Sequence, residues 1–325
     1  MRCPTLNQLA PPPLGKTGWP WTEEFSSVEE EVPAVSLFPK FSIITPTLNQ
    51  GRYIEETIRS VLLQGYPNLE YIIIDGGSED GTLDIIKKYE IWLSYWISEK
   101  DTGQSSAINK GIKISTGDIV AWINSDDVYT PGCFYLVSKN MVNEKTPKNI
   151  ILFGDCDFVN ESGEYLYKSP GGGFNRNYLL QYWKAYFIPQ PSTFIPGDIF
   201  RKKLLNESLN YVMDWDLWLR LSLEHKFIYL NKTLSRFRIH YGSKWGNSES
   251  KFLEEQKMVL HLQHKNFFSK LIFFTSFIVW KIRLLYHRFI RKIILDILSL
   301  CVGEKIFKRL ANLKKTLFPD LSKLR

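Results

Sequence analysis

The sequence predicts an α/β fold, with a Rossmann-like, mostly parallel sheet that is flanked by helices. Short apolar runs of strand length alternate with segments whose apolar residues recur at helical spacing. The runs are apolar throughout, as in strands that helices cover on both faces. The chain has 325 residues, of which 44% are hydrophobic, so it has enough apolar material for a large core.

The strand and helix candidates alternate regularly in the first part of the chain. Four strands are predicted at 41–45, 71–75, 95–99 and 118–124. The three helices between them are predicted from apolar positions on one helical face: Ile54, Ile58, Val61 and Leu62; Leu83, Ile86 and Tyr89; Ala107, Ile108 and Ile112. Crossover helices make successive strands parallel, and such sheets bind ligands beyond the carboxyl ends of their strands. We therefore expect the functional residues at those ends.

Four regions are predicted along the chain. Residues 1–39 are rich in Pro and Glu and lack an apolar period, so we expect an extended or loosely docked arm. Residues 40–130 form the ligand-binding half described above. Residues 131–248 form a second half, with a strand candidate at 151–158 and a helix candidate at 214–225. Residues 249–325 form a basic amphipathic extension that is mainly helical in pattern.

The positive charge of the chain is concentrated in its last segment. Residues 251–325 contain 16 Lys and Arg against 5 Asp and Glu, so the first 250 residues carry −4 of the total of +7. This distribution argues against a nucleic-acid groove across the body. The uncharged run 271–280 rises only about 15 Å as a helix, too short for a bilayer core of about 30 Å. Residues 281–293 separate basic and apolar faces, which favours an anionic membrane surface over packing on the body.

The cysteines and the N-terminus favour a cytoplasmic location, peripheral on the cytoplasmic face of a membrane. The four cysteines are scattered and form neither a disulfide framework nor a close metal-binding pair: Cys3, Cys133, Cys156 and Cys301. The first residues lack the apolar core of a signal peptide.

Carboxylates follow the predicted strands at one edge of the sheet. Asp75 ends the second strand, Asp101 follows the third, and Asp126 and Asp127 follow the fourth. Each acid alone is commonly a helix cap or a turn former. Adjacent carboxylates repel unless a cation or strong donors compensate, and Mg²⁺ or Mn²⁺ binds through one or two carboxylates plus phosphates. The pair therefore predicts either a divalent-cation site or a plain turn.

Several ordered motifs resemble those of family 2 glycosyltransferases, which have the GT-A fold and invert the anomeric configuration. The motifs are ITPTLNQG (44–51), IIIDGGSEDGT (72–82), SEKDTGQSSAINKG (98–111), WINSDD (122–127) and MDWDLWLRL (213–221). The similarity covers approximately residues 40 to 245. It implies a nucleoside-diphosphate-sugar donor, a glycan or lipid-linked acceptor, and a role in polysaccharide or glycoconjugate synthesis.

The resemblance also implies roles for individual residues. The implied nucleotide-binding positions are Thr45, Pro46, Asn49, Asp75, Gly76, Asp101, Asn109, Asn124 and Ser125. Asp126 is implied as the ligand of Mn²⁺ or Mg²⁺, supported by Asp127, and His240 is implied as a contact of the metal or of the diphosphate. Asp214 is implied as the general base, which takes the proton of the acceptor hydroxyl.

Four positions depart from the family pattern. Gly76 replaces a second acid, Ile108 replaces an Arg, Asn124 replaces the first acid of Asp-x-Asp, and Met213 replaces a Glu before the base. These departures leave a non-catalytic membrane-docking or glycan-binding module as an alternative. A nucleotidyltransferase is a less favoured alternative, because it favours a Gly-rich basic loop where this chain has TPTLNQG.

Three tryptophans divide between the core and the acceptor site. Trp218 shares a helical stripe with Leu217 and Leu221, which predicts a core position. Trp215 and Trp245 are candidates for stacking on an acceptor sugar.

Overall fold

The computed structural model describes residues 3–25, 38–141, 149–169, 172–180, 188–243 and 249–263, and the single residues 278 and 282. The chain divides into two compact units. The first comprises Met1–Leu180 and Ala185–His240, and the second comprises Gln181–Lys184 and Tyr241–Arg325. All the strands of the described residues belong to the first unit.

The first half of this unit contains the predicted parallel sheet. Its strands are β1 (Phe41–Thr47), β2 (Leu69–Asp75), β3 (Tyr95–Ser98) and β4 (Ile119–Trp122), in the spatial order β3-β2-β1-β4. All three of these strand pairs are parallel, as the sequence predicts. The crossover helices are α1 (Ile54–Leu62), α2 (Thr82–Tyr89) and α3 (Gln104–Ile114). The apolar face predicted for α1 is buried in the core.

The second half extends the same sheet with mixed strand directions. Its strands are β5 (Val128–Tyr129), β6 (Ile150–Val159), β7 (Tyr165–Lys168), β8 (Thr193–Pro196) and β9 (Lys226–Arg238). The order continues as β4-β8-β6-β9-β5, and β7 pairs with β6. Only β6 and β9 are parallel among these pairs. The helices of this half are α4 (Cys133–Met141), α5 (Arg176–Leu179), α6 (Gly197–Lys202) and α7 (Met213–Leu221).

Helix α7 is shorter than the helix predicted at 214–225. It ends at Leu221, and β9 begins at Lys226, so the chain has to turn between these two residues. The core position predicted for Trp218 is confirmed. Its ring is 1% exposed and stacks on Trp122 with a centroid distance of 5.8 Å.

The N-terminal segment packs more closely than the expected loose arm. Arg59 of α1 is fully buried, and its guanidinium donates to the backbone oxygens of Ala10 at 2.9 Å, Pro20 at 3.0 Å and Trp21 at 2.9 Å. Trp19 is 9% exposed, and its indole N–H donates at 2.8 Å to the carbonyl oxygen of Tyr129, two residues after the acidic segment Asn124–Asp127. A buried cation needs acceptors, and the carbonyl groups of this segment supply them.

The second unit contains helix α8 (Glu249–Gln263), which lies in the predicted helical extension. Within the described ranges, no helix combines the length and the apolar character that a membrane span requires. The segments 271–280 and 281–293, except residues 278 and 282, lie outside the described residues, as do Trp245 and Cys301.

Candidate functional site

The carboxyl ends of the parallel strands lie side by side. Thr47 at the end of β1 pairs with Asp75 at the end of β2, which pairs in turn with Ser98 at the end of β3. The backbone N–H of Gly76 donates to the carbonyl oxygen of Thr47 at 2.9 Å, which continues this contact beyond the strands. The residues that follow these strands are therefore neighbours at one edge of the sheet.

Asp75 is fully buried and holds the turn after β2. Its Oδ2 accepts from the backbone N–H groups of Gly77 at 3.0 Å and Ser78 at 2.9 Å, and from the Ser98 hydroxyl at 2.6 Å. Its Oδ1 accepts from the hydroxyl of Ser78. Four protein donors match the acceptor capacity of a carboxylate. The acceptor sites of Asp75 are thus taken by the protein itself, which does not fit the nucleotide contact that the family resemblance implies for it.

Gly76 lies against the side chain of Asp101. A Cβ atom at position 76 would lie 2.9 Å from Asp101 Oδ2 and 3.5 Å from Leu48 Cδ1. The other oxygen of Asp101 accepts from the backbone N–H of Gly103 at 2.9 Å, which fixes the carboxylate. Asp101 is only partly buried and leans over Gly76, so its carboxylate lies next to the position of the missing second acid.

Three of the predicted nucleotide-binding residues help to hold this edge of the sheet together: Thr45, Pro46 and Asn49. Thr45 is fully buried, and its hydroxyl lies 3.1 Å from the Tyr71 hydroxyl in the core. Pro46 is also buried. Asn49 is exposed in a left-handed conformation (φ 53°), and its Oδ1 accepts from the backbone N–H of Glu79 at 2.9 Å. Asn49 therefore connects the loops after β1 and β2.

Thr47 is a candidate that the motif comparison missed. Its hydroxyl is buried at the strand end and has no hydrogen-bond partner within the described part of the chain. An unpaired buried hydroxyl is costly, which makes a ligand contact at this atom favourable. A sequence shows a polar residue at the strand end but not its missing partner.

The acidic segment after β4 forms a turn in which the Asp127 backbone N–H donates to the Asn124 carbonyl at 3.1 Å. The Asn124 side chain lies between those of Gln104 and Asp127. Its Oδ1 accepts from Gln104 Nε2 at 2.7 Å, and its Nδ2 lies 3.4 Å from Asp127 Oδ2. An acid at position 124 would lack this amide donor and would repel Asp127. Ser125 is buried.

Asp127 faces the protein interior, which does not fit the predicted support of a metal ion. The residue is 1% exposed, and its Oδ1 accepts from the backbone N–H of Arg238 at 3.0 Å. Its second oxygen faces Asn124. Burial, and then the charge of Asp126, raise the pKa of Asp127 well above the usual range. Asp127 therefore connects the acidic segment to the end of β9.

Asp126 lies in the opposite environment, beside His240. Its Oδ2 lies 3.0 Å from His240 Nε2, and the two side chains are 17% and 6% exposed for Asp126 and His240 respectively. The His240 ring packs on Tyr53, with a centroid distance of 4.6 Å. Arg238 Nε donates to the Asp126 carbonyl oxygen at 3.0 Å. The structure thus brings two of the predicted metal ligands together from positions 114 residues apart.

These two side chains are a small but chemically suitable donor set for a divalent cation. No group of three or more His, Cys, Asp or Glu side chains that could hold a metal ion occurs among the described residues. Mg²⁺ and Mn²⁺ nevertheless bind commonly through one or two carboxylates together with substrate phosphates. Asp126 and His240 therefore fit a cation that shares its coordination with a diphosphate.

Helix α7 begins with two acids, Asp214 and Asp216, which differ in burial and in their partners. Asp216 is 4% exposed and pairs with Arg220, with its Oδ2 at 2.8 Å from Arg220 Nε. Asp214 is partly buried, and its Oδ1 accepts from the backbone N–H of Trp215 at 2.8 Å. The Trp215 indole donates to the Leu179 carbonyl at 2.8 Å. Trp215 is thus anchored at its polar end, and the acceptor contact predicted for its ring stays a prediction.

Asn109 holds a distant loop, contrary to its predicted place beside the nucleotide. It is 2% exposed, and its side chain bonds to Leu205 and Glu207. Ile108, which replaces an Arg of the family, is fully buried in α3. These two positions of the motif therefore serve packing in this chain.

The sheet and its acidic edge define a GT-A type fold. The solved structure of S. aureus TarS in complex with UDP-GlcNAc shares this fold, with a TM-score of 0.55 and 19% identity. The match covers 69% of this chain and 66% of TarS. At this level of identity, the likeness is one of fold alone.

The sequence comparisons give the family. Residues 42–201 match Glycosyl transferase family 2. An uncharacterised glycosyltransferase of Rickettsia typhi is 30% identical over 62% of this chain and 64% of its own length, so this chain spans just under two thirds of it. The Bacillus subtilis protein TuaG, named for teichuronic acid biosynthesis, is 43% identical over 27% of this chain and 36% of its own length. This chain belongs to glycosyl transferase family 2.

Proposed function

We propose that this protein is an inverting glycosyltransferase that moves a sugar from a nucleoside-diphosphate donor to a hydroxyl group of a glycan or lipid-linked acceptor. The observation that carries the proposal is the Asp126–His240 pair at the carboxyl edge of the sheet. Membership of family 2 supports a nucleotide-sugar donor. The name of the relative TuaG supports a role in polysaccharide synthesis.

Asp126 and His240 are the residues that would hold a divalent cation, Mn²⁺ or Mg²⁺. When bound, such an ion supplies positive charge that stabilises a departing diphosphate. Asn124 contributes an amide where the family motif has a first acid, so we expect weak and exchangeable metal binding. On the nucleotide side, we retain Asp101 and add Thr47 as candidate contacts.

Asp214 is the proposed general base. As the acceptor oxygen attacks the anomeric carbon, its proton passes to the Asp214 carboxylate. The bond from the anomeric carbon to the diphosphate oxygen breaks on the opposite side, and the nucleoside diphosphate leaves with the bonding electrons. A single displacement of this kind inverts the anomeric configuration. The bond from the Trp215 N–H to Asp214 Oδ1 orients the carboxylate.

Release of nucleoside diphosphate, measured over a panel of nucleotide sugars with Mn²⁺ and beginning with UDP-GlcNAc, tests the function. We expect turnover with at least one donor, and a loss of about 10²–10⁴-fold in Asp214→Asn. Asp84→Asn, on the exposed face of α2, is the matched control, because it makes the same substitution at an exposed position. Full activity of Asp214→Asn would refute the assigned base. A panel without any turnover would instead favour the non-catalytic module.

We further propose that residues 249–325 attach the protein peripherally to a membrane. The proposal is carried by the basic surplus and the amphipathic pattern of the sequence. Sedimentation of the full-length chain with anionic liposomes at low salt tests it. We expect binding to anionic liposomes but not to neutral ones, and the proposal fails if the chain stays in the supernatant with both.

A further inference from the structure

Helix α3 forms hydrogen bonds both with the acidic segment after β4 and with the start of α7, the helix that carries the proposed base. Gln104, its first residue, donates Nε2 to Asn124 Oδ1 in the acidic segment at 2.7 Å. Ser105, the next residue, has its hydroxyl oxygen 2.8 Å from the Leu209 carbonyl and 2.8 Å from Met213 Sδ. Met213 is the first residue of the helix that carries the proposed base. Two adjacent side chains thus connect the metal side of the site with the base side.

Asn109 continues the same face of α3 one turn further along, since residues four apart are neighbours on a helix. Its Nδ2 donates to the Leu205 carbonyl at 3.0 Å and to Glu207 Oε1 at 2.9 Å. Its Oδ1 accepts from the Leu205 backbone N–H at 2.9 Å. A buried amide with these three bonds holds both backbone groups of Leu205, and therefore the register of the loop, in one position.

The loop held in this way leads directly into α7. Residues 203–212 contain neither helix nor strand, so regular backbone pairing does not fix their path. Leu205 and Leu209 are buried at 4% and 0% exposure. A Cβ atom on Gly103 would lie 3.1 Å from Asn210 Oδ1, so the loop also approaches the start of α3 closely. The path of the loop, and hence the start of α7, depends on side chains of α3.

We propose that Asn109 and Ser105 are positioning residues, which set the place of Asp214 relative to the acidic segment. Asn109 acts on the proposed base through the loop and makes no contact with the nucleotide. The catalytic meaning of this inference rests on the proposed function of Asp214. The mechanical part, that α3 fixes the loop and the start of α7, stands independently of it.

Hydrogen exchange measured by mass spectrometry on the full-length protein tests the mechanical part. In Asn109→Asp the carboxylate loses both donor bonds and faces Glu207. We expect exchange in residues 205–216 to accelerate by about tenfold or more, and α1 and α2 to stay unchanged. Asn140→Asp is the matched control, because the bond of its amide within the described ranges goes to Leu136 in its own helix. Unchanged exchange in residues 205–216 would overturn the proposal.

Two further variants keep the test decisive. Ser105→Ala removes only the bonds to Leu209 and Met213, so it serves if Asn109→Asp does not fold. Adding Glu207→Gln to Asn109→Asp supplies a new amide donor opposite the new carboxylate. We expect this double variant to recover slow exchange at least in part. A double variant that exchanges as fast as Asn109→Asp would contradict the proposed pairing.

Kinetics and nucleotide binding separate positioning from nucleotide contact. With the donor that gives turnover, we expect Asn109→Asp to lower kcat about tenfold or more while its KM for the donor stays within about twofold. Its Kd for the matching nucleoside diphosphate should also be unchanged. A raised KM and Kd with normal kcat would show that Asn109 contacts the nucleotide. If no donor gives turnover, the proposed function fails, and hydrogen exchange still decides the mechanical part.

Discussion

The two ends of the parallel strands carry acids in opposite electrostatic settings. At the amino end, Glu70 of β2 pairs with Lys40, with Oε1 and Nζ 2.8 Å apart, and accepts from the Thr116 backbone N–H at 2.7 Å. Ser42 also donates to it. Burial alone would raise the pKa of Glu70, but these hydrogen bonds outweigh burial and lower it to about 2. The charges at this end are therefore matched within the protein.

At the carboxyl end, the negative charge is less completely matched. Among the described residues, Asp75, Asp126 and Asp127 form no ion pair with a Lys or Arg side chain, and His240 is the partner of Asp126. Backbone N–H groups and hydroxyl groups bind Asp75, and backbone N–H and amide groups face Asp127. Such groups orient a carboxylate without neutralising its charge. The comparison therefore favours the carboxyl end over the amino end as the place of the proposed cation.

The largest effect is expected from Asp126→Asn, because it removes the carboxylate of the proposed metal-binding pair Asp126 and His240. Turnover should fall about 10²–10³-fold, since the departing diphosphate loses its compensation. The free energy of unfolding should change by less than about 1 kcal/mol, because the residue is partly exposed. Nucleotide release and urea unfolding measure the two quantities. Asp84→Asn, on the exposed face of α2, is the control. If the Asp126→Asn enzyme kept more than half of the wild-type activity, the proposed difference between the two ends of the strands would be wrong.

Asp75→Asn is expected to have the opposite effect: the main loss should be in the free energy of unfolding and not in turnover. The site is fully buried, and the amide nitrogen that replaces one carboxylate oxygen would face N–H donors from which it cannot accept a hydrogen bond. The free energy of unfolding should fall by about 2–4 kcal/mol. Urea unfolding at pH 7 measures it. A change below about 0.5 kcal/mol together with weakened nucleotide binding would instead place Asp75 in contact with the ligand.

The parallel half was predictable because it depends on local patterns. Continuous apolar runs gave the strands, and helical spacing gave α1, α2 and α3, so the common edge of strand ends followed. The closeness of His240 to Asp126 came from the family resemblance, since no local pattern connects positions 114 residues apart. The N-terminal segment was less predictable, because the buried Arg59 that binds it looks like an ordinary helix residue in the sequence.

The roles of individual polar residues depend on partners that are distant in sequence. Asp75 accepts a hydrogen bond from Ser98, 23 residues away, and Asp127 accepts one from Arg238, 111 residues away. Asn109 donates to the loop at Leu205, 96 residues away. A motif shows that a carboxylate or amide ends a strand. It does not show how many protein donors are directed at that group. Among neighbouring acids, burial and protein partners decide which carboxylate still has an oxygen that a ligand can bind.

A smaller effect is expected from Glu70→Gln, and it depends on pH. Because the pKa of folded Glu70 is about 2 and its ordinary value is 4.5, its contribution is fully present above pH 4.5 and is lost as the pH falls toward 2. The wild type should exceed the variant by about 1–2 kcal/mol at pH 7. The difference should shrink at pH 3. Urea unfolding of both proteins at both values measures it, and a constant difference would show that the charge of Glu70 is not responsible.

The smallest effect, and the opposite pH dependence, is expected from Asp127→Asn. The amide oxygen can still accept from the Arg238 N–H, and the substitution removes a buried charge beside Asp126, so the loss at pH 7 should stay below about 1 kcal/mol. The pKa of folded Asp127 lies above its ordinary 3.8, so the folded state binds a proton more readily than the unfolded chain. Its contribution is therefore greatest at low pH and is lost as the pH rises through the raised pKa. Relative to the variant, the wild type should gain stability between pH 7 and pH 4, whereas the advantage of Glu70 shrinks on acidification. If urea unfolding gives both differences the same sign of pH dependence, the two edges do not differ electrostatically in the way their hydrogen bonds indicate.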